Sequence, residues 1–362
     1  MNVPLHNNIM IDTYMTPFDH PEFAGHEQVV LITDEASGLK AIIAVHNTNR
    51  GPGLGGCRMW NYASANDALT DVLRLSKGMT YKNALADLAL GGGKSVIIAN
   101  PRTDKTPELL RAFGKHINRL AGTYITAEDV GISSDDMEII GSETKYALGT
   151  DATGFGDPSP YTALGTYVGI KAAANHKFGS YDLSGLTVSL KGLGHVGYEV
   201  ARQLHEAGAR LIVSDIYEPA VKRAIEELGA TSVSPDEAHL VEADIFAPCA
   251  LGGGLNPDTI PQLKAAVVAG AANNQLETPE DGEALMKRGI LYAPDYAINA
   301  GGVISVALGE PGASDTIVRR KTLAISDTLT QIFERAEAEN RPTNIIADEV
   351  AEERFRRHDT PA

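Results

Sequence analysis

Cysteine is nearly absent: Cys57 and Cys249 are the two in 362 residues. Neither belongs to a Cys-x-x-Cys pair or a Cys/His cluster. A disulfide scaffold is excluded, and the count fits a reducing, cytoplasmic setting, with both thiols read as small core or site-lining groups. The ten histidines form no HExxH pattern, so the sequence makes no case for a structural or catalytic metal. Positive charge is also scarce. Lys and Arg total 31 against 47 Asp and Glu, giving a formal net charge of −16 and a pI near 5.0. Such a chain has no electrostatic reason to bind nucleic acid or an anionic membrane. No apolar run approaches the ~20 residues that would span a bilayer. The opening MNVPLHNNIMIDTY lacks the basic and apolar regions of a signal peptide.

What remains is ordinary globular composition, 43% hydrophobic and 22% charged. The length exceeds the ~150-residue prior for one domain, so two are expected. In the first part, QVVLIT (28–33) and KAIIAV (40–45) read as strands of a hairpin turned at Gly38. Ser64 to Asp67 resembles a capping box, followed by apolar positions Ala68, Leu69, Val72, Leu73 and Leu75 at helical spacing. A second helical pattern covers roughly 107–120. DATGFGDPSP (151–160) is rich in turn residues and marks the domain boundary. Strand and helix then alternate: TVSL, HVGYEVARQLHEAG, RLIVSD, EPAVKRAIEELGA, then the apolar strands DIFAPCA, AVVAGAA and ILYAPDY. That rhythm predicts an α/β fold with a parallel, doubly wound sheet. The expected division is 1–148 for a substrate-binding domain, 149–330 for a Rossmann-type domain, and 331–362 for a helical tail packing back on the first.

Two glycine-rich stretches compete for a nucleotide. LALGGGKSVIIANP places Gly91–Gly93 ahead of Lys94 and Ser95. A P-loop needs a glycine five positions before its last one, and Leu88 stands there. The order is also reversed, since these glycines read as a turn that precedes a strand rather than opening a helix. They are taken instead to let backbone and Lys94 approach a small substrate. Gly192-Leu193-Gly194-His195-Val196-Gly197 is a GxGxxG that follows a strand and opens a helix. Gly192 turns the chain, Gly194 admits a pyrophosphate to the backbone, and Gly197 lets helix and strand pack. Asp215 closes the next strand, 23 residues after Gly192 (215 − 192). A carboxylate there prefers the free 2′-hydroxyl of NAD over the 2′-phosphate of NADP.

A substrate site facing this cofactor needs polar groups from the other domain. Lys82, Lys94 and Asp129 sit among small or apolar residues. Two readings stand for each: a solvated surface charge or cap, or a group that anchors a carboxylate or moves protons. An unperturbed lysine, with a pKa of about 10.4, is a poor base at neutral pH, and burial or a neighbouring cation corrects that.

LALGGGKSVIIANP resembles the active-site signature of the glutamate/leucine/phenylalanine/valine dehydrogenase family. GPGLGGCRMW, MTYKNA, ITAEDVG, GDPSPYTALG, GLGHVG, ADIFAPCALGG, AGAANNQL and YAPDYAINAGGVISVA are similar to its other segments, in family order over nearly the whole chain. The resemblance implies NAD-dependent oxidative deamination of an L-amino acid to a 2-oxo acid and ammonia. It implies that Lys82 pairs with the substrate carboxylate, that Lys94 polarises the carbonyl and activates water, and that Asp129 exchanges protons with the amino group. Gly55 and Gly56 would line the same pocket. Thr162, Asn273, Asn274 and Asn299 would hold the nicotinamide half of NAD or the substrate. Leu54, Ala127, Val303 and Val306 would line the side-chain pocket. All four are apolar, which disfavours a charged side chain and suits a branched-chain amino acid, with a phenylalanine- or otherwise aromatic-preferring enzyme as the alternative. A non-catalytic NAD-binding sensor is the rival from another class, and it predicts loss of Lys82, Lys94 or Asp129. The family also implies a homo-oligomer, typically an octamer. Gly53 and the segment ALGEPGAS after Val306 depart from the family pattern.

Overall fold

The computed structural model describes residues 16–149, 156–250, 252–309 and 313–356. The segment read for a signal peptide falls outside them, as do residues 151–155 of the boundary loop and 310–312 of ALGEPGAS.

The first domain is a mixed sheet with helices on both faces. β1 (Gln28–Asp34) and β2 (Leu39–Asn47) form the expected antiparallel hairpin, and Gly38 supplies a φ of 73° at the turn. β3 (Gly53–Leu54) and β4 (Cys57–Trp60) run in succession along one edge of a later strand. α1 (Ala65–Leu85) comes between, its first turn capped by the Ser64 hydroxyl, which accepts the Asp67 N–H. Then follow β5 (Gly91–Ile98), α2 (Pro107–Arg119), β6 (Tyr124–Ile125) and α3 (Ser134–Gly141). The sheet order is β1-β2-β5-β3-β6, with β4 also paired to β5. α1 lays Ala68, Val72 and Leu73 against Ile42, Ala44 and Val96 on one face. On the other, Phe113, Ile117, Met137 and Ile140 pack on Ile43, Met59 and Tyr124.

The glycine run is not the turn that its sequence suggests. Gly91, Gly92, Gly93 and Lys94 all lie inside β5. Nor do the glycines open the strand to a substrate, because protein fills the space their side chains would take. A Cβ on Gly92 would stand 2.1 Å from both the Thr80 nitrogen and hydroxyl of α1. On Gly91 it would meet the Asn47 carbonyl at 2.0 Å, and on Gly93 the Tyr124 ring at 2.6 Å. A poor strand former persists here because its neighbours press directly on its backbone.

The second domain opens with α4 (Ser159–Phe178) and continues through β7 (Thr187–Lys191), α5 (His195–Glu206), β8 (Arg210–Ser214), α6 (Glu218–Leu228), β9 (Thr231–Ser232) and β10 (Ile245–Pro248). β11 (Val267–Val268), α7 (Glu280–Lys287) and β12 (Leu291–Tyr292) complete the sheet. All its pairings are parallel, in the order β12-β11-β10-β7-β8-β9. This is the doubly wound sheet expected, with its order reversing between β7 and β10. ILYAPDY is a strand only at Leu291–Tyr292. After Pro294 the chain turns into α8 (Asp295–Ile298), then α9 (Gly301–Leu308).

α10 (Asp315–Leu323), α11 (Ile325–Glu339) and α12 (Thr343–Phe355) finish the described chain. The expected break at 330/331 falls inside α11, an unbroken helix whose Leu329, Ile332 and Phe333 belong to the second domain's core. α12 reaches back to the first domain, beside Lys321 of α10 on Asp87 and Thr328 of α11 on the Leu85 carbonyl. Tyr81 of α1 donates its hydroxyl to Glu352 at 3.0 Å, and Arg354 donates to the Leu85 carbonyl at 2.8 Å, capping the end of α1. No helix among the described residues is long and apolar enough to cross a membrane.

Gly92→Ala is expected to destabilise the protein by ~1–3 kcal/mol, because the methyl meets helix backbone rather than a yielding side-chain tip. Denaturant titration against the wild type measures this, and an unchanged midpoint would refute the packing role of the glycines.

Candidate active site

β3 and β4 share one register along β5: Leu54 pairs with Gly92, and Cys57 with Ser95. Gly55 and Gly56 between them therefore lie opposite Gly93 and Lys94. Both must be glycine. A Cβ on Gly55 would fall 1.8 Å from the Gly93 carbonyl, and one on Gly56 2.4 Å from the Glu128 carbonyl. This close backbone contact brings the Ala127–Asp129 strand end beside Lys94.

A cleft of about 430 Å³ opens there. Lys82, Lys94 and Asp129 line it together with Gly55 and Gly56. Leu54 and Ala127 form its apolar wall on the first-domain side, and Val303 and Val306 of α9 form the wall on the other. All nine are residues that the sequence singled out. Met79, Glu128, Ile132, Pro158 and Gly302 also line it, and sequence reasoning missed them. Met79 and Ile132 carried no signal apart from ordinary apolar residues.

Lys94 is 5% exposed, and its Nζ lies 3.0 Å from Asp129 Oδ2. The same carboxylate oxygen accepts from Arg58 Nε at 2.9 Å. Arg58 in turn is held by Asp71 at 2.9 Å, and Asp71 accepts the Tyr62 hydroxyl. Burial alone would raise the Asp129 pKa, but Lys94 and Arg58 outweigh it and hold the carboxyl below its usual range. Asp129 is therefore held as an anion. Arg58 is a further missed residue. Its signal was an arginine inside the otherwise apolar strand CRMW.

Lys82, on the last turns of α1, has no counter-ion within salt-bridge distance among the described residues. Burial pushes its ammonium down to about 8, with Asp295 opposing and Lys94 reinforcing the shift. Cys57, under the same strand pair, is buried, and burial pushes its thiol up to about 12, which leaves it unreactive.

The cofactor residues gather separately, at the carboxyl edge of the second sheet. Gly192 adopts a φ of 106°, as a tight turn requires. A Cβ on Gly197 would clash with the Gly192 carbonyl at 2.0 Å. Gly194 caps α5, while His195 stands exposed beside it and Val196 half-buried. Free N–H groups at this helix start suit a pyrophosphate. Asp215 accepts the Leu193 N–H at 2.5 Å, which ties this carboxylate to the glycine turn. Asn299 is 3% exposed and donates to the Asn273 side chain at 2.7 Å, yet its Oδ1 is buried without a partner. That acceptor is free to take a donor from a bound group, and the carboxamide of a nicotinamide would supply one. Thr162 faces Gly302, where a Cβ would meet its hydroxyl at 2.6 Å. Asn274 takes a left-handed φ of 51°, and its N–H is held by Asp295 at 2.5 Å. The residues present thus fit NAD. No group of three or more His, Cys, Asp or Glu side chains among the described residues is placed to hold a metal ion.

Residues 26–146 match the family model "Glu/Leu/Phe/Val dehydrogenase, dimerisation domain", and 219–336 match "Glutamate/Leucine/Phenylalanine/Valine dehydrogenase". Residues 165–269 also match the NAD binding domain of D-isomer specific 2-hydroxyacid dehydrogenases. The chain is 53% identical to the leucine dehydrogenase of Geobacillus stearothermophilus, over 94% of each. It is 46% identical to the phenylalanine dehydrogenase of Bacillus thermotolerans, over 98% of this chain and 94% of that one. The crystal structure of L-tryptophan dehydrogenase from Nostoc punctiforme superposes with a TM-score of 0.82 at 46% identity, covering 91% of this chain and 96% of that chain. The chain belongs to the glutamate/leucine/phenylalanine/valine dehydrogenase family.

Proposed function

We propose that the protein catalyses the reversible, NAD-dependent oxidative deamination of branched-chain L-amino acids, leucine with valine and isoleucine, to the 2-oxo acid and ammonia. The observation that carries this reading is the single cleft in which Lys82, Lys94 and Asp129 meet an apolar wall of Leu54, Ala127, Val303 and Val306. The sensor alternative loses its ground, because all three polar residues are present in one site.

NAD supplies the hydride acceptor, and the chain's own residues do the rest. Lys82 binds the substrate carboxylate. Asp129, kept anionic by Lys94 and Arg58, takes a proton from the substrate ammonium and frees the amine for oxidation. Lys94 positions water against the resulting imine carbon and takes the proton that the water releases as the carbinolamine forms. Asp129 then returns its proton to the departing nitrogen. The glycine turn with Asp215 orients the dinucleotide, and Asn273, Asn274, Asn299 and Thr162 set the nicotinamide end against the substrate α-carbon. The aliphatic wall accepts a branched side chain and rejects a charged one, which it would bury unpaired. The domain division follows the same reading, with the polar substrate groups Lys82, Lys94 and Asp129 before residue 149 and the cofactor groups after it, where Val303 and Val306 complete the side-chain wall. A homo-oligomer is part of the proposal, assembled through the domain whose matched model carries the dimerisation name.

Lys94→Ala is expected to abolish turnover while NADH binding, followed by fluorescence, stays nearly intact; a loss of less than tenfold would remove Lys94 from the chemistry. With NAD and a panel of L-amino acids, NADH absorbance should rise with leucine, valine and isoleucine. Activity confined to phenylalanine and tryptophan would transfer the protein to the aromatic-preferring enzymes. The pH dependence follows from Lys82. Its ammonium form binds the carboxylate and persists below about 8, so kcat/KM for the 2-oxo acid should fall as pH rises through that value. Lys82→Met should raise KM and erase this limb, and a limb that survives the substitution belongs to another group.

A further inference from the structure

Among the buried carboxylates that the mechanism leaves unused, Asp295 is bonded to a residue of the proposed site. Asp295, at the start of α8, is 9% exposed. Its Oδ2 accepts the Asn274 N–H at 2.5 Å and its Oδ1 accepts the Tyr292 hydroxyl at 2.9 Å. We propose that Asp295 is a positioning residue that joins the carboxylate-binding lysine of the first domain to the Asn274 loop of the second. The proposal rests on the amino acid dehydrogenase reading above.

Two independent features support it. Asn274 holds a left-handed φ of 51°, a conformation that L-residues adopt at a cost unless their surroundings fix it. The Asp295 carboxylate fixes it through the N–H. On its other side α8 packs against α1, the helix that carries Lys82, and Asp295 is the leading opposite charge acting on that lysine. Burial raises the Asp295 carboxyl, and Lys82 is the cation that counters this. The remaining charged or titratable neighbours are accounted for. Lys82 also faces Lys94 and Asp129. Around Asp295 stand Tyr292, Tyr296 and Asp348, and Tyr296 donates to Asp348.

The consequence is a shared ammonium. In the free enzyme Asp295 supplies the field that keeps Lys82 charged. An arriving substrate carboxylate competes for the same cation, while Asp295 keeps its hold on Asn274. Substrate capture in one domain and the setting of the asparagine loop in the other then pass through one side chain.

Asp295→Asn tests this. Binding of 4-methylpentanoate to the NADH complex, followed by calorimetry, and kcat/KM for 4-methyl-2-oxopentanoate are measured from pH 6 to 10. Without the Asp295 charge, Lys82 should lose its proton earlier, so both quantities should begin to fall about one pH unit below the wild type. Near pH 6.5, where Lys82 is protonated in both proteins, KM should be unchanged or lower, because the ammonium is no longer shared. An onset that does not move, or a KM raised by the same factor at every pH, would reduce Asp295 to structural support. Asp295→Glu keeps the charge and displaces it by one methylene. It should retain the wild-type onset and raise KM at every pH through the shifted Asn274 loop, and an unaltered KM overturns the link to Asn274. The calorimetric readout needs no turnover, so a wild type that oxidises no amino acid would strike the parent reading alone.

Discussion

The direct seating of α1 on β5 is the constraint on which the rest depends. The helix comes so close that Thr80 occupies the volume where Gly92 would carry a Cβ. A strand of ordinary residues would hold the helix ~10 Å away, as layers normally pack. Here the glycine run removes that spacing. Lys82 near the end of the helix and Lys94 in the strand therefore face one cleft. Gly55 and Gly56 repeat the device on the other edge of β5 and bring Asp129 to 3.0 Å from Lys94. The catalytic constellation is in this sense a by-product of missing side chains.

Burial then gives the two lysines different work. Lys94 has an anion at hydrogen-bond distance, shared with Arg58. Lys82 has only the more distant fields of Asp295 and Asp129, and burial lowers its hold on the proton. A lysine already carrying a tight partner makes a poor receptor for a substrate carboxylate, since the newcomer must displace the resident anion. A lysine with an unmet demand for negative charge gains the most when a carboxylate arrives. On the proposed mechanism this separates the group that recruits substrate from the group that works on it.

Much of this was legible in the sequence, for identifiable reasons. The dinucleotide turn was readable because its glycines, its strand and its helix are contiguous, and local chemistry dictates local shape. The hairpin at Gly38 and the cap at Ser64 were readable on the same ground. The glycine run before Lys94 misled, because a strand built of glycines has no strand signal of its own. Its conformation is imposed by Thr80, Tyr124 and Asn47, which are distant in sequence or scattered among other motifs. Arg58 and Asp295 escaped notice for a related reason. Each acts through a partner 71 residues away in one case and 21 in the other, a relation that spacing does not encode. The residues singled out by family resemblance do gather in one cleft, yet no local pattern would have joined Leu54 to Val306.

That junction also bears on specificity. Leu54 and Ala127 belong to the first domain, and Val303 and Val306 to a helix of the second. A pocket whose walls belong to two bodies takes its width from their separation as well as from its side chains. One methylene of pocket volume shifts preference by only ~1–3 kcal/mol, and a small change in the angle between the domains alters the width by as much. Among the contacts between the domains, those of α12 with the end of α1, through Tyr81, Glu352 and Arg354, lie outside the pocket. Relatives named for leucine, phenylalanine and tryptophan share the chain at 46–53% identity. A pocket with walls from two domains is open to adjustment by contacts that leave its polar residues in place.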